Sequence, residues 1–125
     1  MLNFDFHNPT RILFGENQIE HLAQLVPADA RVLVLYGGGS IRANGTYDAV
    51  MAALYGHAVF EFGGIEPNPS YETLVEAIAL VKRENIDFLL AVGGGSVIDG
   101  TKFVAAGSLL DADPWTILEQ HARNV

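Results

Sequence analysis

Residues 32–40 read VLVLYGGGS and residues 88–96 read FLLAVGGGS. Each opens with five uncharged aliphatic or aromatic residues, the pattern of a strand buried on both faces, as in a parallel sheet. Each then stops at three glycines and a serine. Helical spacing lies between and beyond them. Tyr47, Val50, Met51 and Leu54 mark a helix over roughly 45–55, and residues 97–106 another. Residues 58–62 read as a further strand. The loop Glu66-Pro67-Asn68-Pro69 cannot be regular structure, because two prolines remove donors and constrain their neighbours. Ser70 is a good N-cap for a helix on Leu74, Ile78 and Val81 that runs to about Asn85. Upstream, Ile19, Leu22, Ala23 and Val26 predict a short helix stopped by Pro27, preceded by two short strands within residues 2–15. Downstream, Asp113-Pro114 predicts a cap and start for a helix at Trp115. Strands alternating with helices imply parallel βαβ units. The expected architecture is α/β, a doubly wound and mostly parallel sheet with helices on both faces, in one domain over residues 1–125.

Composition narrows the partners. Half of the 125 residues are hydrophobic and 18% are charged, which excludes a disordered chain. The longest apolar run is seven residues, 49–55, against the roughly 20 that a membrane span needs. Seven Lys and Arg against fifteen Asp and Glu leave a net charge of −8, which argues against nucleic-acid binding. There is no cysteine, hence no disulfide framework or thiolate metal site. No signal peptide is visible at the start of the sequence, and the expected location is the cytoplasm.

An acidic protein can still hold an anionic ligand through backbone amides. Glycine lets a phosphate reach the main chain, and a helix N-terminus offers free N–H groups. One triplet is well explained as a tight strand–helix turn. Two triplets on two such strands point to a ligand that bridges both, at Gly38, Gly39 and Ser40 on one side and Gly94, Gly95 and Ser96 on the other. Neither turn is a G-x-G-x-x-G fingerprint, because Arg42 and Ile98 stand where the third glycine should be. The phosphate-loop pattern nearly fits residues 95–102, but Thr101 and Lys102 are exchanged. One position is about 100° around a helix, so that lysine would point away from the phosphates.

Residues 93–102, GGGSVIDGTK, resemble the G-G-G-S-x-x-D-x-x-K segment of the iron-containing alcohol dehydrogenases, relatives of glycerol dehydrogenases and dehydroquinate synthases. Residues 8–15 (NPTRILFG) and 63–69 (GGIEPNP) agree, in the family's order. The likeness is greatest to the butanol dehydrogenase and aldehyde reductase branch, which uses NADPH. The resemblance implies that Gly94, Gly95 and Ser96 bind the pyrophosphate, that Asp99 lies near the nicotinamide, and that the Asn68 loop flanks the cofactor. It further implies alcohol and aldehyde substrates, and a homodimer paired through the N-terminal strands. A divalent metal, iron or zinc, would be held in the full-length enzyme by an aspartate and three histidines of a separate helical domain. Here His7, His21, His57 and His121 stand singly, so the expectation is a cofactor half without metal ligands, and the polar tail 121–125 is where a longer protein could be cut.

The cofactor follows from the first turn. Beyond residues 37–40 the next acid in sequence is Asp48, so no carboxylate adjoins the turn to bind ribose hydroxyls as in NAD sites. Backbone amides, the Ser40 hydroxyl and nearby Arg42 suit a 2′-phosphate, and the expected cofactor is NADP. Asp111 with Asp113, and Phe4 with Phe6 and Phe14, have simpler explanations as a helix cap and as core or subunit contact. The rival functional class is a stand-alone, non-catalytic nucleotide-binding or regulatory module.

Overall fold

The structure, a computed structural model, describes Leu13 and residues 16–109. The expected strands within 2–15 and the helix at Trp115 fall outside the described residues, apart from Leu13. The Phe4/Phe6/Phe14 cluster and the Asp111/Asp113 pair fall wholly outside them.

A 3₁₀ turn, Gln18–His21, leads into the four-residue helix α1 (Leu22–Leu25). Strand β1 is Arg31–Tyr36, followed by α2 (Ser40–Ala43), α3 (Thr46–Ala53) and β2 (Ala58–Phe62). Helix α4 (Tyr71–Arg83), β3 (Phe88–Val92) and α5 (Gly95–Ser108) complete the order. The three strands form one parallel sheet in the order β2-β1-β3.

Strand β1 explains the layering. Its side chains alternate, as a strand's must. Leu33 and Leu35 face α4 and α5, packing with Leu74, Ala77, Ile78, Val97 and Val104. Val32, Val34 and Tyr36 face the other way, onto Ile41, Val50 and Leu54. The run without polar residues in β1 is therefore the centre of two cores, and helices cover both faces as the sequence predicts. Leu33 and Leu35 are 0% exposed.

Three local differences separate the structure from the sequence reading. The run 88–92 reads as fully buried, yet every residue of β3 is only half-buried. Among the described residues β3 pairs on one side alone, with β1, which leaves its other side uncovered by them. The helix expected over 45–55 is preceded by a separate turn of helix, α2. Gly45 at φ 81° breaks the two apart, a conformation that glycine adopts without a side-chain clash. Helix α5 extends beyond 97–106 at both ends. Ser70 is the N-cap expected of α4, its Oγ accepting from the Thr73 amide at 3.2 Å. No helix among the described residues is long and apolar enough to cross a membrane.

Candidate functional site

From β1 the chain crosses to β2 on one side, and from β2 it returns past β1 to β3 on the other. The sheet's connections thus diverge between β1 and β3. In open α/β sheets ligands bind in the crevice beyond the carboxyl ends of the strands at that switch point. Here it is a cleft of about 250 Å³ lined by residues 37–38, Ile65, Pro67 and residues 94–97.

Both glycine turns therefore meet, as the paired triplets predict. Gly93 has φ 149°, and a Cβ there would come within 3.0 Å of Val97 Cγ2. Gly37 is close-packed too, its missing Cβ lying 3.3 Å from the Ile65 carbonyl oxygen. These two glycines shape the turns. Gly38, Gly94 and Gly95 are different, because a Cβ on any of them would meet nothing within 4 Å. They are exposed backbone facing open space.

Helix α5 begins at that space without a side-chain cap. The amides of Gly95 and Ser96, in its first turn, have no intrahelical acceptor and lie where an anion would be received. Helix α4 makes the contrast, since its N-terminus is already satisfied by Ser70. The loop before α4 is tied to the cleft. The Asn68 amide donates to the Ser96 hydroxyl at 3.3 Å, and Asn68 itself is left-handed at φ 50°. Glu66 braces this loop by accepting from the Ser70 amide at 2.8 Å and the Thr73 hydroxyl at 3.2 Å. Those two hydrogen bonds, the amide first, hold the Glu66 carboxyl below its ordinary value.

The residues expected at the site are distributed as follows. Gly38, Gly94, Gly95 and Ser96 line the cleft, and Asn68 touches it through Ser96. Gly39 and Ser40 are exposed just past Gly38, at the start of α2. Asp99 is exposed one helical turn beyond Gly95 on α5, outside the cleft lining. Ile65, Pro67 and Val97 line it as well, lying within the 63–69 and 93–102 segments although not singled out there. A larger apolar cleft of about 440 Å³ beside α1, α3 and β3 continues the half-buried face of that strand, with Gln18 and Thr46 its polar side chains.

Arg42 is placed where the sequence does not suggest. Its guanidinium donates to the Tyr36 hydroxyl at 3.1 Å, lies 3.9 Å from the centre of the Tyr47 ring, and pairs with Glu61 at 3.5 Å. Glu61 accepts from both phenols, Tyr36 at 3.0 Å and Tyr47 at 2.9 Å. The hydrogen bond to Glu61, with burial next, raises the Tyr47 phenol above its ordinary value. The acid next to the first turn is thus Glu61 on β2, and not Asp48, which stands exposed on α3.

Gly63 allows this cluster to form. A Cβ on Gly63 would lie 2.5–2.8 Å from the end of the Tyr36 ring, which is 8% exposed and held by Glu61 and Arg42. We expect Gly63→Ala to lower stability by about 1–3 kcal/mol, the usual cost of overpacking. A thermal melt matching that of the unsubstituted chain would show that Tyr36 yields freely.

Residues 9–124 match the sequence profile of the iron-containing alcohol dehydrogenases. The chain belongs to the iron-containing alcohol dehydrogenase family. The NADPH-dependent aldehyde reductase YqhD of Escherichia coli is 54% identical over all of this chain and 33% of its own length. A probable NADH-dependent butanol dehydrogenase 1 of Bacillus subtilis is 50% identical, over 94% of this chain and 31% of its own. The substrate- and cofactor-free structure of the Escherichia coli aldehyde reductase superposes with a TM-score of 0.94, over 99% of this chain and 33% of that one. This iron-containing alcohol dehydrogenase chain thus spans about a third of the length of the curated relatives it matches. The family implies a divalent metal. Among the described residues no three His, Asp or Glu side chains gather to hold one, so they offer it no seat.

Proposed function

We propose that this chain is the dinucleotide-binding portion of a metal-dependent oxidoreductase that interconverts alcohols and aldehydes with NADP(H). The observation that carries the reading is the cleft where both glycine turns meet, with uncapped α5 amides on one wall. Its fit to a dinucleotide is chemical: two lengths of side-chain-free backbone, and first-turn amides lacking acceptors. Gly94, Gly95 and Ser96 hold the pyrophosphate, and Gly38, Gly39 and Ser40 receive the adenosine 2′-phosphate. The Asn68 loop flanks the cofactor, and Asp99 stands toward the nicotinamide end.

When bound, the nicotinamide supplies the hydride chemistry. The chain's own residues bind and orient. The Ser96 hydroxyl, engaged by the Asn68 amide, couples the 66–69 loop to the pyrophosphate turn. Ile65, Pro67 and Val97 form the apolar part of the wall. The substrates are small alcohols and aldehydes, the assembly a homodimer, the compartment the cytoplasm.

The rival, a nucleotide-binding module without catalysis, draws on the lack of a metal-donor group among the described residues. Titration of the 125-residue chain with NADPH and NADH, followed by calorimetry or Trp115 fluorescence, tests the shared core of both readings. Saturable NADPH binding without aldehyde reduction is expected. Failure to bind either dinucleotide would remove the proposed site, whereas turnover by the chain alone would remove its description as only the cofactor-binding part.

A further inference from the structure

The side-chain cluster beside the first turn carries an inference of its own. Glu61 stands near the carboxyl end of β2, directly opposite Val34 of β1 in the parallel register. Dinucleotide folds place a ribose-binding acid in this part of the sheet, and such an acid disfavours a 2′-phosphate. Here the carboxylate is committed instead. One oxygen accepts from Tyr36 and the other from Tyr47, and Arg42 lies 3.5 Å away. The cluster is coupled to the turn by backbone. The Arg42 amide donates to the Gly39 carbonyl at 3.2 Å, and the Gly64 amide to the Gly37 carbonyl at 2.8 Å.

We propose that Glu61 is a specificity-determining residue of the cofactor site: by pairing with Arg42 it limits how strongly the 37–40 turn favours a 2′-phosphate. The inference rests on the dinucleotide reading above. Arg42 is the cation closest in sequence to the turn, and Glu61 offsets its charge. Arg42 has two contacts besides that carboxylate, the Tyr36 hydroxyl and the Tyr47 ring, and Tyr36 is itself buried. The pair is also partly exposed, at 55% and 37%, so it contributes little to stability. Removing the negative charge therefore leaves the guanidinium available to a phosphate without unfolding the site. A glutamine at this position still accepts one phenol hydrogen bond.

The test is the ratio of NADPH to NADH dissociation constants, measured by calorimetry on the 125-residue chain and on Glu61→Gln, Glu61→Asp and Arg42→Ala. Glu61→Gln is expected to tighten NADPH by about three- to tenfold and to leave NADH within about twofold, since the charges interact within a screening length. Glu61→Asp keeps the charge and is expected to keep the original ratio. Arg42→Ala is expected to weaken NADPH by about tenfold, the loss of one charge-assisted contact. In the Arg42→Ala background the gain from Glu61→Gln should shrink. Adenosine 2′,5′-bisphosphate and adenosine 5′-monophosphate, used as probes, should repeat the pattern if the 2′-phosphate is the group sensed. Equal shifts for both cofactors, or no shift, would overturn the role assigned to Glu61 while leaving the site intact. If the unsubstituted chain binds neither cofactor, the dinucleotide reading falls and this inference falls with it.

Discussion

Gly95→Val is expected to abolish most dinucleotide binding while leaving the fold in place. A Cβ at this position meets nothing within 4 Å, and the backbone is not in the left-handed region, so a side chain here starts into open space without backbone strain. Valine occupies the space in front of the α5 amides, where the pyrophosphate is proposed to lie. Each hydrogen bond to an ionised group contributes roughly 1.5–3 kcal/mol. Displacing the ligand from two of them should raise the dissociation constant by at least about 100-fold. The control must be chosen from the structure. Gly56 is a helix-end glycine far from the cleft in sequence, but its φ of 93° would strain any β-branched residue. Ala105→Val, exposed on the same helix, is sound and should leave affinity unchanged. NADPH titrations and thermal melts on both variants check the expectation. A folded Gly95→Val chain with unaltered affinity would take this turn out of the site.

The difference between those two glycines shows what a sequence conceals. Both are single letters near helix ends, and only backbone geometry separates an open approach from a left-handed turn. The larger design was legible because one rule produced it. Five apolar residues without a charge require cover on both faces, and β1 obtained it from α4 and α5 on one side and α2 and α3 on the other. The same rule suits β3 to burial on both faces, and among the described residues it has one neighbouring strand, β1, and is half-buried. The two turns were legible as a pair, and parallel pairing of β1 with β3 brought them to one cleft.

Glu61 was not legible. In sequence it is one polar residue within a strand, well separated from Arg42. It reaches Tyr36 and Arg42 only through the β1–β2 register, which sets Val34 against Glu61. The same hidden proximity placed Arg42 in a cluster of two phenols and a carboxylate, where its charge is shared before any ligand arrives. Gly63 was equally silent, although a methyl group there would strike the ring that anchors the cluster.

The proposed preference for NADPH can be tested at Gly39; of the two relatives above, one is NADPH-dependent by name and the other NADH-dependent, at similar identity. Gly39 is the N-cap of α2 at φ −82°, with no atom within 4 Å of its missing Cβ. Aspartate can be accommodated at that position, because the dihedral is one any residue adopts and the space is open. Gly39→Asp should therefore fold as well as the original chain. Its carboxylate would stand beside the proposed 2′-phosphate position and repel a group carrying close to two negative charges, while offering an acceptor to the ribose hydroxyls of NADH. Arg42 offsets this only in part, since it is also paired with Glu61 at 3.5 Å. We expect the NADPH preference, of about 1–3 kcal/mol from one or two charge-assisted hydrogen bonds, to be erased or reversed. Paired NADPH and NADH titrations of the two proteins measure it. Equal or tighter NADH binding by the unsubstituted chain would place the 2′-phosphate away from Ser40, whereas an unchanged ratio in Gly39→Asp would free Gly39 alone from that role.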